Sequence, residues 1–260
     1  MQADLLLRER HELICERLRT SGRVLASKLA QELQVSDDTI RRDLRDLAAA
    51  GRCQRVYGGA LPVASFDTSL AERLVIGTER KAALARATAG FLLPGMTVFL
   101  DAGSTNLAIA RAIPANSELT VVTNTPVIAA ALMETPGLQL VLIGGPIDRH
   151  IGAAIGAKAI REIGLLRTDL CVLGVCGVDV EAGLTAVHFD DAEFKRSVAE
   201  RSRSVLVPAT NDKLGVVSTY SIVPLAECQT LLLEADADRL SVGAYQAHGV
   251  TVVQAQEALP

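Results

Sequence analysis

A chain of 260 residues exceeds one ordinary domain and is read as two, one of them small. Its 49% hydrophobic and 22% charged content excludes a disordered protein, and no apolar run approaches the ~18 residues that span a membrane, so no membrane partner is expected. The net charge of −4 is uneven: residues 1–60 hold eleven Lys/Arg against nine Asp/Glu, for +2, and the remainder carries −6, the balance of a nucleic-acid-binding module on an acidic soluble body.

Residues 1–10 mix both signs of charge and lack the apolar stretch of an export signal, so a cytoplasmic location is expected. Cys15, Cys53, Cys171, Cys176 and Cys228 form no CxxC pair, and His11, His150, His188 and His248 show no metal-ligand spacing. Neither a metal nor a cofactor is expected. Cys171 and Cys176 flank an apolar strand-like run, which leaves a redox-responsive reading open beside the plain one of core thiols.

Helical periodicity begins with Ile14 and Leu18, then resumes after the Ser21-Gly22 break with Leu25, Leu29 and Leu33. The link Gln34-Val35-Ser36 predicts a tight turn, with Val35 as a buried plug and Ser36 as the N-cap of a third helix over 37–50. Asp37 and Asp38 in its first turn favour the helix dipole. Ile40, Leu44 and Leu47 make one stripe of that helix; Asp38, Arg42, Arg45 and Ala49 lie opposite, with Arg41 on the flank. Alone, this pattern equally suits an ordinary amphipathic surface helix. What decides is the continuation: Gly51 ends the helix, and Arg52-Cys53-Gln54-Arg55-Val56-Tyr57-Gly58-Gly59 reads as a two-stranded wing.

The run Val35-Ser36-Asp37-Asp38-Thr39-Ile40-Arg41-Arg42-Asp43-Leu44, with Leu47, Gly51 and Arg55-Val56-Tyr57-Gly58-Gly59-Ala60, closely resembles the signature of the DeoR family of bacterial repressors. The resemblance implies a winged helix-turn-helix over 1–60 whose third helix reads double-stranded DNA. Ser36, Thr39, Arg41, Arg42, Arg45, Arg55 and Tyr57 are then the expected contacts. Tyr57 stands where the family usually has His, and a phenol can still donate to a phosphate oxygen.

Residues 61–79, with Pro62, Ser65, Asp67, Thr68 and Ser69, show no sustained period and read as a linker. A helix from Glu79 to about Leu93, stopped by Pro94-Gly95, opens a domain over 80–260. Apolar runs at 96–100, 119–122, 138–143, 170–175, 205–207, 230–233 and 250–253 alternate with helical segments, which predicts an α/β fold with a doubly wound, mostly parallel sheet. Ligands of such sheets bind beyond the carboxyl ends of the strands. Those ends are polar and glycine-rich: Asp101-Ala102-Gly103-Ser104-Thr105-Asn106, Thr123-Asn124-Thr125, Gly144-Gly145, and Gly177 to Asp179 followed by Gly183-Leu184-Thr185. A lone Gly-Ser-Thr is an ordinary turn, but between a strand and a helix on such a rim it can cradle a phosphate. Lys213 adds a cation there.

Residues 80–233 resemble the sensor domain of the same family, related to ribose-5-phosphate isomerase and the CoA transferases. The resemblance implies that Gly103, Ser104 and Thr105 hold a phosphate and that Asp101, Asn124, Asp179, Lys195 and Lys213 line a sugar. Asp191 replaces the family's usual Glu in Asp191-Ala192-Glu193-Phe194-Lys195-Arg196, and Thr210 stands where Asp is usual. Lys195 by itself is equally the partner of Asp191 in an exposed i, i+4 pair. The expected function is a homo-oligomeric repressor of a sugar or carbon catabolism operon, released from its operator by a phosphorylated sugar. The alternative is an isomerase-like enzyme with a regulatory DNA-binding module.

Overall fold

The computed structural model describes residues 6–21, 24–50, 52–56, 58–62 and 68–256. It divides into two compact units, Met1–Ser65 with Leu74–Arg80 and Phe66–Arg73 with Lys81–Pro260.

The first unit runs α1 (Leu7–Ser21), β1 (Val24–Leu25), α2 (Ala26–Leu33), α3 (Asp37–Ala49), β2 (Cys53–Val56) and β3 (Gly59–Pro62). Ile14 and Leu18 of α1 meet Leu29 of α2 and Ile40, Leu44 and Leu47 of α3 in one buried cluster, as the helical spacing requires. Two details differ from expectation. Leu25 belongs to β1 and is 42% exposed, so the inner face of α2 is Ala26, Leu29 and Ala30. Val35 is half-buried against the cluster, and the turn before it is made by Gln34 in the left-handed region (φ 54°), with the Val35 N–H donating to Ala30 O at 3.1 Å.

The wing is three-stranded. β3 lies between β1 and β2, antiparallel to both, with Gly59 opposite Leu25 on one side and Val56 on the other. A β-carbon on Gly59 would stand 1.9 Å from Val24 O, so the central strand requires glycine there.

The second unit begins in the stretch read as a linker, which holds α4 (Leu70–Leu74) and the start of α5 (Thr78–Thr88). Leu70 is 5% exposed; its N–H donates to His150 O at 2.9 Å, and its side chain fills the space over Gly152. Leu70 is thus packed into the second unit from within the stretch read as a linker. There follow β4 (Thr97–Leu100), α6 (Ser104–Ala112), β5 (Thr120–Thr123), α7 (Pro126–Leu132), β6 (Gln139–Leu142), the hairpin β7 (Ile147–Asp148) and β8 (Ala153–Ala154), α8 (Ala157–Ile163) and β9 (Leu170–Val172). Next come β10 (Gly177–Asp179), β11 (Gly183–Ala186), α9 (Phe189–Glu200), β12 (Val205–Ala209), β13 (Tyr220–Val223), β14 (Thr230–Leu233), α10 (Arg239–Ala247) and β15 (Thr251–Gln254).

Seven strands pair in parallel in the order β15-β14-β12-β9-β4-β5-β6. Val98, Phe99 and Leu100 of β4 and Cys171 and Val172 of β9 are fully buried, as expected of central strands covered on both faces. The chain proceeds from β4 outward through β5 to β6, then returns to β9 on the other side of β4. The strand order therefore reverses between β4 and β9, the place where doubly wound sheets open a crevice. A small antiparallel sheet, β10-β11-β13, and the β7–β8 hairpin were not foreseen.

Candidate functional site

In the first unit, Ser36 caps α3: its Oγ accepts the Thr39 N–H at 3.1 Å and lies 2.7 Å from Thr39 Oγ1. Arg41 is exposed and paired with Asp37 one turn back. Arg42 and Arg45 on α3 and Arg55 on β2 are exposed and form no ion pair or side-chain hydrogen bond among the described residues. Three guanidinium groups are thus available to phosphates or base edges. Tyr57 lies outside the described residues. Sequence reading did not foresee Asp43, which is 2% exposed on α3 and accepts from Arg10 and His11 of α1.

In the second unit, a cleft open to solvent is lined by the segments that leave β4 and β9. Gly103 (φ 153°), in a conformation L-residues rarely adopt, turns the chain from β4 into α6, whose first residues are Ser104 and Thr105. The first turn of a helix leaves N–H groups for an anion. Beside it lies a buried ionic triad: Lys195 Nζ is 2.9 Å from Asp101 Oδ2 and 2.8 Å from Asp191 Oδ1, and Asp101 Oδ2 also accepts the Gly174 N–H at 2.9 Å. The i, i+4 pair of Lys195 with Asp191 exists, but it is buried, with Asp101 as a third member. Burial works against the Lys195 ammonium, yet Asp101 and Asp191 outweigh it and hold its pKa above the ordinary lysine range. Burial raises the Asp101 carboxyl despite Lys195.

Two further cations line the cleft, Lys213 and Arg73. The half-buried Lys213 ammonium has no hydrogen bond or ion pair among the described residues, and Arg73 Nε is buried without a hydrogen-bond partner. Lys81 Nζ donates to Arg73 O at 2.6 Å. Burial, with Lys213 and Arg73 nearby, lowers Lys81 to about 8 against the pull of Asp212 and Glu234; burial first, with Arg73 and Lys195, lowers Lys213 against the pull of Asp212. Such crowding suits an anionic ligand.

Gly103, Ser104, Thr105, Lys195 and Lys213 thus come together around the cleft, with Asp101 behind Lys195. Asn124 and Asp179 are not among its lining residues. Asn124 is fully buried, its Nδ2 donating to Ala154 O at 3.0 Å, and Asp179 Oδ1 accepts the N–H groups of Glu181 and Ala182 in a tight turn. Sequence reading missed Thr68 and Arg73, which enter from the supposed linker, and the rings of His150 and His188, packed edge to face with centroids 5.4 Å apart. Asn106, placed on the rim but given no role, donates from Nδ2 to Asp101 O and Val172 O while its buried Oδ1 has no donor among the described residues. Among the described residues no group of His, Cys, Asp or Glu is placed to hold a metal ion, and no helix is long and apolar enough to cross a membrane.

A winged helix-turn-helix in one unit and, in the other, a cationic cleft at the switch point of a parallel sheet define a ligand-responsive transcription regulator. Residues 10–66 match the DeoR-like helix-turn-helix domain and residues 77–235 the DeoR C terminal sensor domain. The chain belongs to the DeoR family. It is 34% identical to the glycerol-3-phosphate regulon repressor of Escherichia coli K12, over 80% of this chain and 82% of that one. To the HTH-type transcriptional regulator GlpR of Haloferax volcanii it is 34% identical over 96% and 98%, and to the HTH-type transcriptional repressor GlcR of Bacillus subtilis 31% over 87% and 88%. A solved D-ribose-5-phosphate isomerase in complex with phospho-erythronic acid overlays 52% of this chain and 53% of its own, with TM-score 0.38 and 14% identity.

Proposed function

We propose that the protein is a cytoplasmic, homo-oligomeric repressor of a carbon-catabolism operon, released from its double-stranded operator when a phosphorylated sugar occupies the cleft. The observation that carries this reading is the pair Arg73 and Lys213, two cations on one cleft that form no ion pair among the described residues. Arg73 and Lys213 face the cleft directly, whereas Asp101 and Asp191 are engaged with Lys195, and Asp212 and Glu234 act on Lys81 and Lys213 from nearby; a phosphate monoester would give Arg73 and Lys213 the direct anionic contact they lack. Gly103, Ser104 and Thr105 offer the same phosphate a helix N-terminus, and the orphaned Asn106 Oδ1 suits a sugar hydroxyl. The names of the relatives agree: one represses a glycerol-3-phosphate regulon. An isomerase would need a carboxylate free to move protons, whereas the Asp101 carboxylate is committed to Lys195 and Gly174.

For release to follow, the ligand must favour the state that binds DNA poorly. The test is a thermal-shift screen of sugar phosphates, parent sugars and inorganic phosphate, followed by operator binding with and without the hit, in wild type and Ser104→Glu. A phosphorylated hit that releases wild type and not the variant is expected. Stabilisation by parent sugars alone, or turnover of the hit into an isomer, overturns the reading. Sedimentation as a strict monomer at micromolar concentration would overturn the oligomer.

A further inference from the structure

We infer that Asp43 is a positioning residue for DNA recognition, fixing the rotation of α3 about its own axis through Arg10 and His11. Asp43 is the one acidic residue of α3 that is buried, at 2% exposure, while Asp37, Asp38 and Asp46 on the same helix are exposed or half-buried. Its carboxylate is held from α1. Arg10 donates through both Nε and Nη2, the latter to Oδ1 at 3.0 Å, and His11 Nε2 lies 3.3 Å from Oδ1.

The apolar contacts of Ile14 and Leu18 with Ile40, Leu44 and Leu47 hold the two helices together but are non-directional, so they tolerate small rotations. A bidentate guanidinium–carboxylate fork does not, because both of its hydrogen bonds fix one plane. One residue of α3 subtends about 100°, so Asp43, directly after Arg42 and two before Arg45, sets where both arginines point. The pairing has a second effect. A bare carboxylate beside two DNA-facing arginines would oppose phosphates, and Arg10 cancels its field within the protein. Arg10 is thereby committed to the fold, although by charge it counts among the basic residues of the head.

This inference rests on α3 being the DNA-reading helix. The test uses the full-length protein and two duplexes of equal length, one selected from a random pool by the wild type and one scrambled. For Asp43→Asn, affinity for the selected duplex is expected to fall at least tenfold while affinity for the scrambled duplex stays level or rises. The ratio of the two is the readout, since a merely structural defect lowers both together. Arg10→Lys keeps the charge and loses the fork, and should lower the ratio similarly. Arg42→Ala is the control for the reading helix. If Arg42→Ala lowers the ratio and Arg10→Lys leaves it unchanged, the positioning role is overturned while the reading helix stands; if neither changes it, both fall. Should Asp43→Asn fail to fold, Arg10→Lys alone decides.

Discussion

Replacing Lys195 with Met removes the cation that, among the described residues, touches two buried carboxylates, so its cost can be worked from the site. At an effective dielectric of about 20, a contact of 2.9 Å carries roughly 6 kcal/mol of attraction. The realised loss is smaller because Asp101 can escape by taking a proton. Protonating a carboxyl of ordinary pKa 3.8 at pH 7 costs about 4.4 kcal/mol, at about 1.36 kcal/mol per pH unit, and at pH 5 only about 1.6 kcal/mol. A loss of about 3 to 5 kcal/mol is therefore expected at pH 7, in line with breaking buried pairs generally, shrinking by nearly 3 kcal/mol at pH 5. The sign follows from linkage: the folded variant keeps a proton on Asp101 that the unfolded chain gives up above its ordinary pKa, so stability falls as pH rises. The assay is denaturant unfolding at both pH values, followed by near-ultraviolet signals. The chain has no Trp, and two of its three Tyr, Tyr220 and Tyr245, lie in the sensor unit. An equal loss at pH 5 and pH 7 would mean that packing, not charge, sets the cost; no loss at pH 7 would refute the buried triad.

Arg73→Ala and Lys213→Met should each weaken binding of a phosphorylated effector by about 10- to 150-fold, one charge-assisted hydrogen bond's worth, while the parent sugar binds no differently; calorimetry decides. Effector affinity should decline as pH rises through about 8, because phosphate raises the lowered pKa of Lys81 and binding then takes up a proton; a flat profile from pH 7 to 9 would refute this. Gly59→Ala should abolish operator binding, since its β-carbon would meet Val24 O, and leave the ligand-induced thermal shift of the sensor intact. Thiol labelling should be fast at half-buried Cys15 and Cys176 and slow at Cys171 and Cys228, where burial pushes the thiols up, Cys228 to about 12. Bound effector should protect Cys176, which lines the cleft.

The five inner strands of the large sheet were legible because central parallel strands must be apolar on both faces, and 230–233 was read to the residue; the edge strands β6 and β15 carry apolar runs too, although most of their residues are exposed. The short strands were not: β10 and β11 are glycine-rich, and β7 and β8 have two residues each. Gly103, Ser104 and Thr105 could be found because they are contiguous and sit at a strand end. Arg73 could not, since its place depends on how Leu70 packs against the β7–β8 turn, a contact across 80 residues. The Arg10–Asp43 fork spans 33 residues and is equally invisible to local pattern. Asp179 carries the right chemistry for a rim, but the N–H groups of its own turn claim it; Asn124 gives its Nδ2 to Ala154 O while its buried Oδ1 has no donor among the described residues.

Because Thr68 and Arg73 enter the cleft from ahead of α5, the boundary that sequence similarity assigns to the sensor, residue 77, runs behind two of the residues lining the cleft. A sensor grafted onto another DNA reader must carry the stretch from Thr68 onward. A hybrid joined at 77 would keep its sheet and its fold, yet lose a cation from the cleft and answer its inducer weakly. Specificity for that inducer can then drift through changes in a stretch that alignments treat as spacer.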